Sequence, residues 1–337
     1  MRALILDRFG KDPLANLSLR ETIDPTAASG HVLVRMTAAA LNPSDLHIAS
    51  GEMKMMSPRK PPFPLGVDGA GVVDSDGHRF RTGDRVMFYT GLVHCGTVAE
   101  AMAVPEDWLA PVPQGWTASE AAAAPLALLV AYRTLERSRA RAGERLLVHG
   151  AGGAVGAATV ALAHGRGLTV CGSGSGADET YVRDLGASAY IDYRTGSVRD
   201  AGERFDIVLD GFGGNVLEDS AAVVNQGGRI VSLKAMTGTD DMDAQGMKIP
   251  SPMKLLMPLV FRKPRKLAEK AGATLIGIAS FPDGAALEHA ATEAVNAGFR
   301  PRIDRDYPLD RAIEAVRHFA TSNPRGKVVI HTADAAW

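Results

Sequence analysis

Leu146 to Gly156 reads Leu-Leu-Val-His-Gly-Ala-Gly-Gly-Ala-Val-Gly, a short apolar run ending in a glycine-rich turn. A small-residue helix is predicted to follow over Ala154–His164. Strand, turn and helix in that order are the setting in which a dinucleotide fingerprint works. Glycine lets the backbone turn tightly and approach a pyrophosphate with no Cβ in the way. The helix start offers free N–H groups and a positive dipole end to the anion. Gly150 and Gly152 precede Gly153, and Gly156 closes a frame of the Gly-x-Gly-x-x-Gly kind. Cofactor contacts are therefore expected from Gly150, Ala151, Gly152, Gly153, Ala154, Val155 and Gly156.

An Asp or Glu at the end of the next strand would accept hydrogen bonds from the adenosine 2′-hydroxyl and select NAD. This chain has Gly172-Ser173-Gly174-Ser175-Gly176 there. No carboxylate repels a 2′-phosphate, and Ser173 and Ser175 can donate to it, so NADPH is expected over NADH. Asp178 follows and is expected to cap a helix. No Arg stands at the immediate strand end. Asp210-Gly211-Phe212-Gly213-Gly214 ends a later apolar run and is expected beside the nicotinamide-side ribose, because ligands bind at the carboxyl ends of parallel strands. Leu233-Lys234 holds a similar position one strand on.

Those positions require a parallel sheet. Leu146–Ala151, Thr169–Gly174, Ala189–Tyr193, Asp206–Asp210 and Arg229–Leu233 read as buried parallel strands, with Thr274–Ala279 as a sixth. Helical patterns such as Ala154–His164 and Asp178–Leu185 lie between them, which predicts a doubly wound α/β unit. Residues 1 to about 124 are different. Short extended segments (Met1–Leu6, His31–Ala39, Gly69–Asp74, Asp84–Phe88, Val98–Val104) with Gly and Pro between them suggest an all-β, barrel-like unit. A tail with helix Gly284–Ala297, strand Pro301–Ile303, helix Leu309–Ala320 and strand Lys327–His331 is expected to return to that first unit. Thr237 to Lys270 is less regular. It carries Met242, Met247, Met253 and Met257, which read as adaptable packing or a lid, and a basic cluster, Arg262, Lys263, Arg265 and Lys266, which reads as a solvated helix face.

With 337 residues, two domains are a natural expectation. The formal net charge of -1 gives no electrostatic footprint for nucleic acid. The opening Met-Arg-Ala-Leu-Ile-Leu-Asp-Arg has charges where a signal peptide needs an apolar core. The longest apolar stretch, Ala121 to Tyr132, is broken by Pro125 and too short to span a bilayer. A cytoplasmic protein with no membrane segment is expected. Cys95 and Cys171 cannot build a disulfide framework or a four-cysteine zinc lobe.

Seven segments recur in a characteristic order over nearly the whole chain: Leu41-Asn42-Pro43-Ser44-Asp45, Pro64-Leu65-Gly66-Val67-Asp68-Gly69-Ala70-Gly71-Val72-Val73, Gly83-Asp84-Arg85-Val86, Gly96-Thr97-Val98-Ala99-Glu100, the Val148–Gly156 turn, Leu185-Gly186-Ala187 and Arg325-Gly326-Lys327-Val328-Val329. In this order the chain resembles the medium-chain dehydrogenase/reductase superfamily, in its zinc-free quinone oxidoreductase and enoyl reductase branch. The resemblance implies a GroES-like β-barrel catalytic domain made of residues 1–124 and 283–337, with a Rossmann NADP-binding domain of parallel-sheet type at 125–282. It suggests a homodimer formed by extending the Rossmann sheet at Thr274–Ala279. It places Asn42 and Asp45 near the nicotinamide, Tyr193 against the adenosine phosphate, and Val130, Leu233 and Lys327 at the cofactor.

No metal is expected. Zinc-dependent relatives have a Cys where Pro43 stands and Gly-His-Glu where Gly66-Val67-Asp68 stands, and a catalytic zinc needs about three protein ligands. Without zinc, nothing polarises an alkoxide, whereas reduction of a quinone or an α,β-unsaturated carbonyl needs only a few hydrogen-bond donors for the developing oxyanion and a later proton. Asn42 is expected to donate its amide to the substrate carbonyl or a cofactor ribose; an ionised Asp45 can only accept. A plain turn and helix start is the other reading of Asn42–Asp45. Val98 and Val130 replace a Tyr and a Thr usual in relatives, which leaves the proton donor open among Tyr89, His94 and His47. Met53, Met55 and Met56, with Pro61 and Pro62, are expected to border a hydrophobic substrate cleft. Two other functions fit the residues: a biosynthetic enoyl reductase acting on a thioester, and a non-catalytic NADPH-binding sensor, scaffold or RNA binder.

Overall fold

In the computed structural model, residues 1–12, 14–54, 59–92, 94–235, 259 and 261–333 are described. Met55, Met56, Met242, Met247, Met253 and Met257 lie outside them. The first strands are β1 (Arg2–Leu6), β2 (Leu17–Glu21), β3 (His31–Ala40), β4 (Phe63–Pro64), β5 (Asp68–Val73), β6 (Arg85–Tyr89), β7 (Ala101–Pro105) and β8 (Leu109–Pro111). With them come helices α1 (Pro43–Ser50), α2 (Ala118–Ala123) and α3 (Pro125–Arg137). The middle of the chain alternates: β9 (Arg145–His149), α4 (Ala154–Gly165), β10 (Thr169–Gly174), α5 (Glu179–Asp184), β11 (Ala189–Asp192), β12 (Phe205–Asp210), α6 (Asn215–Val223), β13 (Val224–Ser232), α7 (Arg262–Lys270) and β14 (Thr274–Gly277). The last elements are α8 (Gly284–Asn296), β15 (Ile303–Pro308), α9 (Ala312–Thr321) and β16 (Lys327–His331).

Among the described residues, β9 to β14 form a six-stranded parallel sheet in the order β11-β10-β9-β12-β13-β14. The order reverses between β9 and β12, and a doubly wound sheet opens its ligand crevice at such a reversal. Leu146, Leu147 and Val148 of β9 are all fully buried, as an apolar run covered on both faces must be. On one face α3, α4 and α8 pack together. On the other, Leu147, Val208 and Ile230 meet Leu217 of α6 and Ala268 of α7.

A seven-stranded sheet runs β15-β16-β3-β5-β6-β8, with β7 also paired to β3. The ten-residue β3 makes this possible: its first half pairs β7 and its last residues, Ala38–Ala40, pair β16. Late-chain residues thus complete a sheet begun at residue 31. A third sheet is β2-β1-β4.

Some boundaries differ from the sequence reading. Pro125 divides the apolar stretch into α2 and α3, because proline fits the first turn of a helix but not its interior. Gly96–Glu100 is irregular, and the strand expected from Val98 starts at Ala101. Leu17–Glu21 and Asn215–Val223, too short for a clear periodic pattern, are a strand and a helix. Residues 309–311 form a 3-10 turn ahead of α9, and no described helix is long and apolar enough to cross a membrane.

Candidate functional site

At the carboxyl edge of the parallel sheet lies a cleft of about 690 Å³. Its walls are the start of α1 (Leu41, Asn42, Pro43, Leu46, His47), the turn after β9 (His149, Gly150, Gly153, Ala154, Val155, Gly156), the ends of β12 and β13 (Leu209, Gly211, Phe212, Leu233) and the approach to β16 (Asn323, Pro324, Gly326, Lys327). It gathers ten predicted site residues: Asn42, Gly150, Gly153, Ala154, Val155, Gly156, Gly211, Phe212, Leu233 and Lys327. Asp45, Val130, Ala151, Gly152, Ser173, Ser175 and Tyr193 are not on its walls. A larger hollow of about 940 Å³ holds none of them. There Ser119 and Asp306 both approach the same Nε2 of His331, at 3.1 and 2.9 Å, which rules out the relay of a catalytic triad, where serine and carboxylate take opposite ring nitrogens.

The turn needs its glycines. Gly150 has φ +67, and a Cβ on Gly156 would press into the Gly150 carbonyl. A Cβ on Gly152 would stand 2.6 Å from that of Asp178. No side chain caps the start of α4, so its first N–H groups are left for an anion. This cradle fits a pyrophosphate. Ala151 is buried, its N–H 3.0 Å from the Ser173 carbonyl oxygen.

A buried polar knot closes one wall. Asn42 Nδ2 donates to the Ala40 carbonyl at 3.2 Å and to Asp68 Oδ2 at 3.0 Å. Lys327 Nζ donates to the same Asp68 oxygen at 3.0 Å and to Asn42 Oδ1. Leu126 N–H supplies Asp68 Oδ1 at 2.9 Å. Both amide hydrogens of Asn42 have partners inside the protein, and the side chain is held by Asp68 and Lys327, distant in sequence. Asp45 reaches back to the Asn42 N–H at 2.7 Å, one half of a capping box. Its Oδ1 has no partner among the described residues, and burial pushes its carboxyl up to about 7. Burial also raises Asp68, with the Lys327 ammonium acting against it.

Beyond β10, Ser175 accepts a hydrogen bond from Arg194 Nη2. Tyr193 is 67% exposed, with the Arg194 guanidinium 5.9 Å from its ring centre. Sequence reasoning missed Arg194 because it sought a cation at the end of β10, and this one stands beyond β11, the next strand. The only signal was its place directly after Tyr193. Ser173 is buried, its Oγ 3.0 Å from His149 Nδ1. Asp178 precedes α5 but makes no side-chain cap; Arg302 draws its carboxylate into an ion pair at 3.0 Å.

Of the expected proton donors, only His47 lines the cleft, its Nδ1 2.7 Å from Glu52 Oε2. Tyr89 is buried, which pushes its phenol well above the usual range. His94 lies against Trp108, the rings tilted at 57° with their centres 5.2 Å apart. Val98 and Val130 are buried, and Met53 packs against the main core.

A family model described as alcohol dehydrogenase GroES-like domain matches residues 28–114, and one described as zinc-binding dehydrogenase matches residues 185–330. The quinone oxidoreductase of Mus musculus is 33% identical over 246 residues, 68% of this chain and 72% of that protein. The NADPH-dependent alkenal/one oxidoreductase, chloroplastic, of Arabidopsis thaliana is 32% identical over 244 residues, 69% of this chain and 62% of that protein. Among solved structures, the quinone oxidoreductase from Thermus thermophilus, determined also in complex with NADPH, superposes with a TM-score of 0.75 at 29% identity, covering 98% of this chain and 100% of that one. The zinc in one family description does not fit these residues. Pro43 and Val67 offer no ligand, Asp68 is taken up by Lys327 and Asn42, and no three metal-ligating side chains converge among the described residues.

Proposed function

The chain belongs to the medium-chain dehydrogenase/reductase superfamily, alongside its quinone and alkenal/one oxidoreductases, and from this premise we propose that it is an NADPH-dependent, zinc-independent oxidoreductase whose substrate is a quinone or an α,β-unsaturated carbonyl compound. The observation that carries the choice of NADPH is Arg194 on Ser175. A guanidinium at that place suits a 2′-phosphate, with its planar fork of donors. When bound, NADPH supplies the hydride.

The chain's own residues do the rest. The turn at 150–156 takes the pyrophosphate on backbone N–H groups. Gly211, Phe212 and Leu233 border the nicotinamide end, and Tyr193 and Ser175 the adenosine end. Lys327 and Asp68 hold Asn42 in one orientation, and Asp45 fixes the start of α1. Leu41, Leu46, Leu126, Leu209, Phe212 and Leu233 make the cleft apolar, which excludes water and suits a flat hydrophobic substrate. We place the domain boundaries at 124/125 and 282/283, the dimer contact along the β14 edge, and the protein in the cytoplasm, where its two buried free thiols suit a reducing medium.

A recess of about 470 Å³ lined by Lys263, Lys266 and Lys270 adjoins Gly214 at the β12 loop. It favours a second reading, an enoyl reductase whose thioester substrate carries a phosphorylated tail.

The test is fluorescence titration with NADPH and NADH, followed by turnover on a panel of quinones and enones. Tighter binding of NADPH with turnover is expected. Preference for NADH would overturn the cofactor assignment, and NADPH binding without turnover of any acceptor would overturn the catalytic one.

A further inference from the structure

Four parallel strands end at one level in a row of buried polar side chains. Ser173 of β10 stands beside His149 of β9, and Asp210 of β12 beside Ser232 of β13. The pairing of Val148 with Leu209 brings the two halves together. Most of the row is satisfied internally. Ser173 Oγ meets His149 Nδ1 at 3.0 Å. Ser232 Oγ accepts from the N–H groups of Lys234 and Ala235, and Asp210 Oδ1 from those of Phe212 and Gly213. Two buried atoms of this row have no partner among the described residues: His149 Nε2 and Asp210 Oδ2. Buried polar atoms are almost always paired, so an orphan at the wall of a cleft points to a group that arrives there.

His149 is that wall residue; it is 9% exposed and lines the cleft between the glycine turn and the β12 loop. We propose that His149 contacts the cofactor directly, its Nε2 hydrogen-bonding a hydroxyl of the nicotinamide-side ribose while Ser173 fixes the ring from behind. The inference rests on the NADPH reading above and adds a residue to it. Three observations select a ribose hydroxyl. Asn42, Leu46 and Phe212 line the cleft together with His149, whereas Ser175 and Arg194 do not. A hydroxyl both donates and accepts, so it serves the imidazole in either tautomer, whereas a phosphate oxygen serves only one. The neighbouring Asp210 carboxylate repels a phosphate but can accept from a second hydroxyl. Burial lowers the His149 pKa and so favours the neutral ring.

The experiment compares His149→Phe, His149→Gln and the unaltered chain by titration with NADPH and with adenosine 2′,5′-bisphosphate, the half that lacks the second ribose. Loss of one hydrogen bond should raise the NADPH Kd about tenfold in His149→Phe. The adenosine bisphosphate should stay within about twofold, as for a distant site. His149→Gln, which keeps a polar nitrogen, should recover part of the loss. Equal losses for both ligands would mean that His149 acts on the adenosine half through Ser173, and no loss for either would make it structural; each overturns the inference. Should the variants fail to fold, the ¹⁵N resonance of His149 Nε2 in the unaltered chain gives the same answer. It should shift with NADPH and stay put with the bisphosphate, and any other pattern overturns the assignment. If the unaltered chain binds no NADPH, both this inference and its parent fail, whereas an NADPH affinity indifferent to residue 149 sinks this one alone.

Discussion

Lys327 Nζ lies 3.0 Å from Asp68 Oδ2 with the two side chains 5% and 0% exposed, an ion pair that ties the last strand of the seven-stranded sheet to β5 in its interior. The same ammonium holds the Asn42 oxygen, so one buried charge joins three elements at the wall of the cleft. Removing one partner from such a pair costs far more than the pair contributes, because the remaining charge has no water.

Lys327→Met should therefore destabilise the protein by about 3–5 kcal/mol, read from urea unfolding. The Asp68 carboxylate would keep only Asn42 Nδ2 and Leu126 N–H. A loss near zero would mean that solvent reaches Asp68.

Asp45 predicts a pH dependence. Its carboxyl is raised from 3.8 to about 7 in the folded chain. Between these values the folded state binds the proton that the unfolded state has released, so this group's stabilising contribution is full below about pH 4 and is lost as pH rises through about 7. Asp68 is raised too and contributes with the same sign. Asp45→Asn keeps an acceptor for the Asn42 N–H and removes the titration. Its unfolding free energy should be flatter than that of the unaltered chain from pH 4 to 8, and parallel curves would show that Asp45 stays ionised.

Arg194→Ala should weaken NADPH by about tenfold, the low end for a charge-assisted hydrogen bond at an exposed site. NADH, which has no 2′-phosphate, should bind as before. Titration of both ligands decides it: an equal effect on the two would place Arg194 away from the 2′ position.

Gly156→Ala should cost about 1–3 kcal/mol of stability, because the added methyl group would press into the backbone of Gly150 and Ala151, which cannot yield as a side chain does. Distortion of the turn should also abolish most NADPH binding. A variant that keeps both its unfolding midpoint and its affinity would show that the cradle is looser than its geometry.

The parallel sheet was legible because its central strands β9 and β12 are apolar runs and the turns after β9, β10 and β12 are marked by glycine or aspartate. The switch point between β9 and β12 came only with the strand order. The knot around Asn42 was not legible, since Asp68 and Lys327 lie 26 and 285 positions away and their meeting depends on β3, β5 and β16 sharing one sheet. Ser173 looked like a ligand donor because alternation along β10 does not tell which neighbour a serine will meet; His149, one strand across, takes it. Arg194 escaped because it stands past the end of β11, while the cation was sought at the end of β10.

The place of β16 also sets an order of birth for the chain. Its residues 327–331 slot between β15 and β3, so the sheet begun at His31 waits through almost the entire synthesis with the Ala38–Ala40 edge open. Residues 145–277, in contrast, contain every strand of the parallel sheet and can close as soon as they leave the ribosome. The nascent protein would own a nucleotide cradle before it owned a cleft. Lys327 arrives with the last strand and locks Asn42, and only then is the wall opposite the cradle in place.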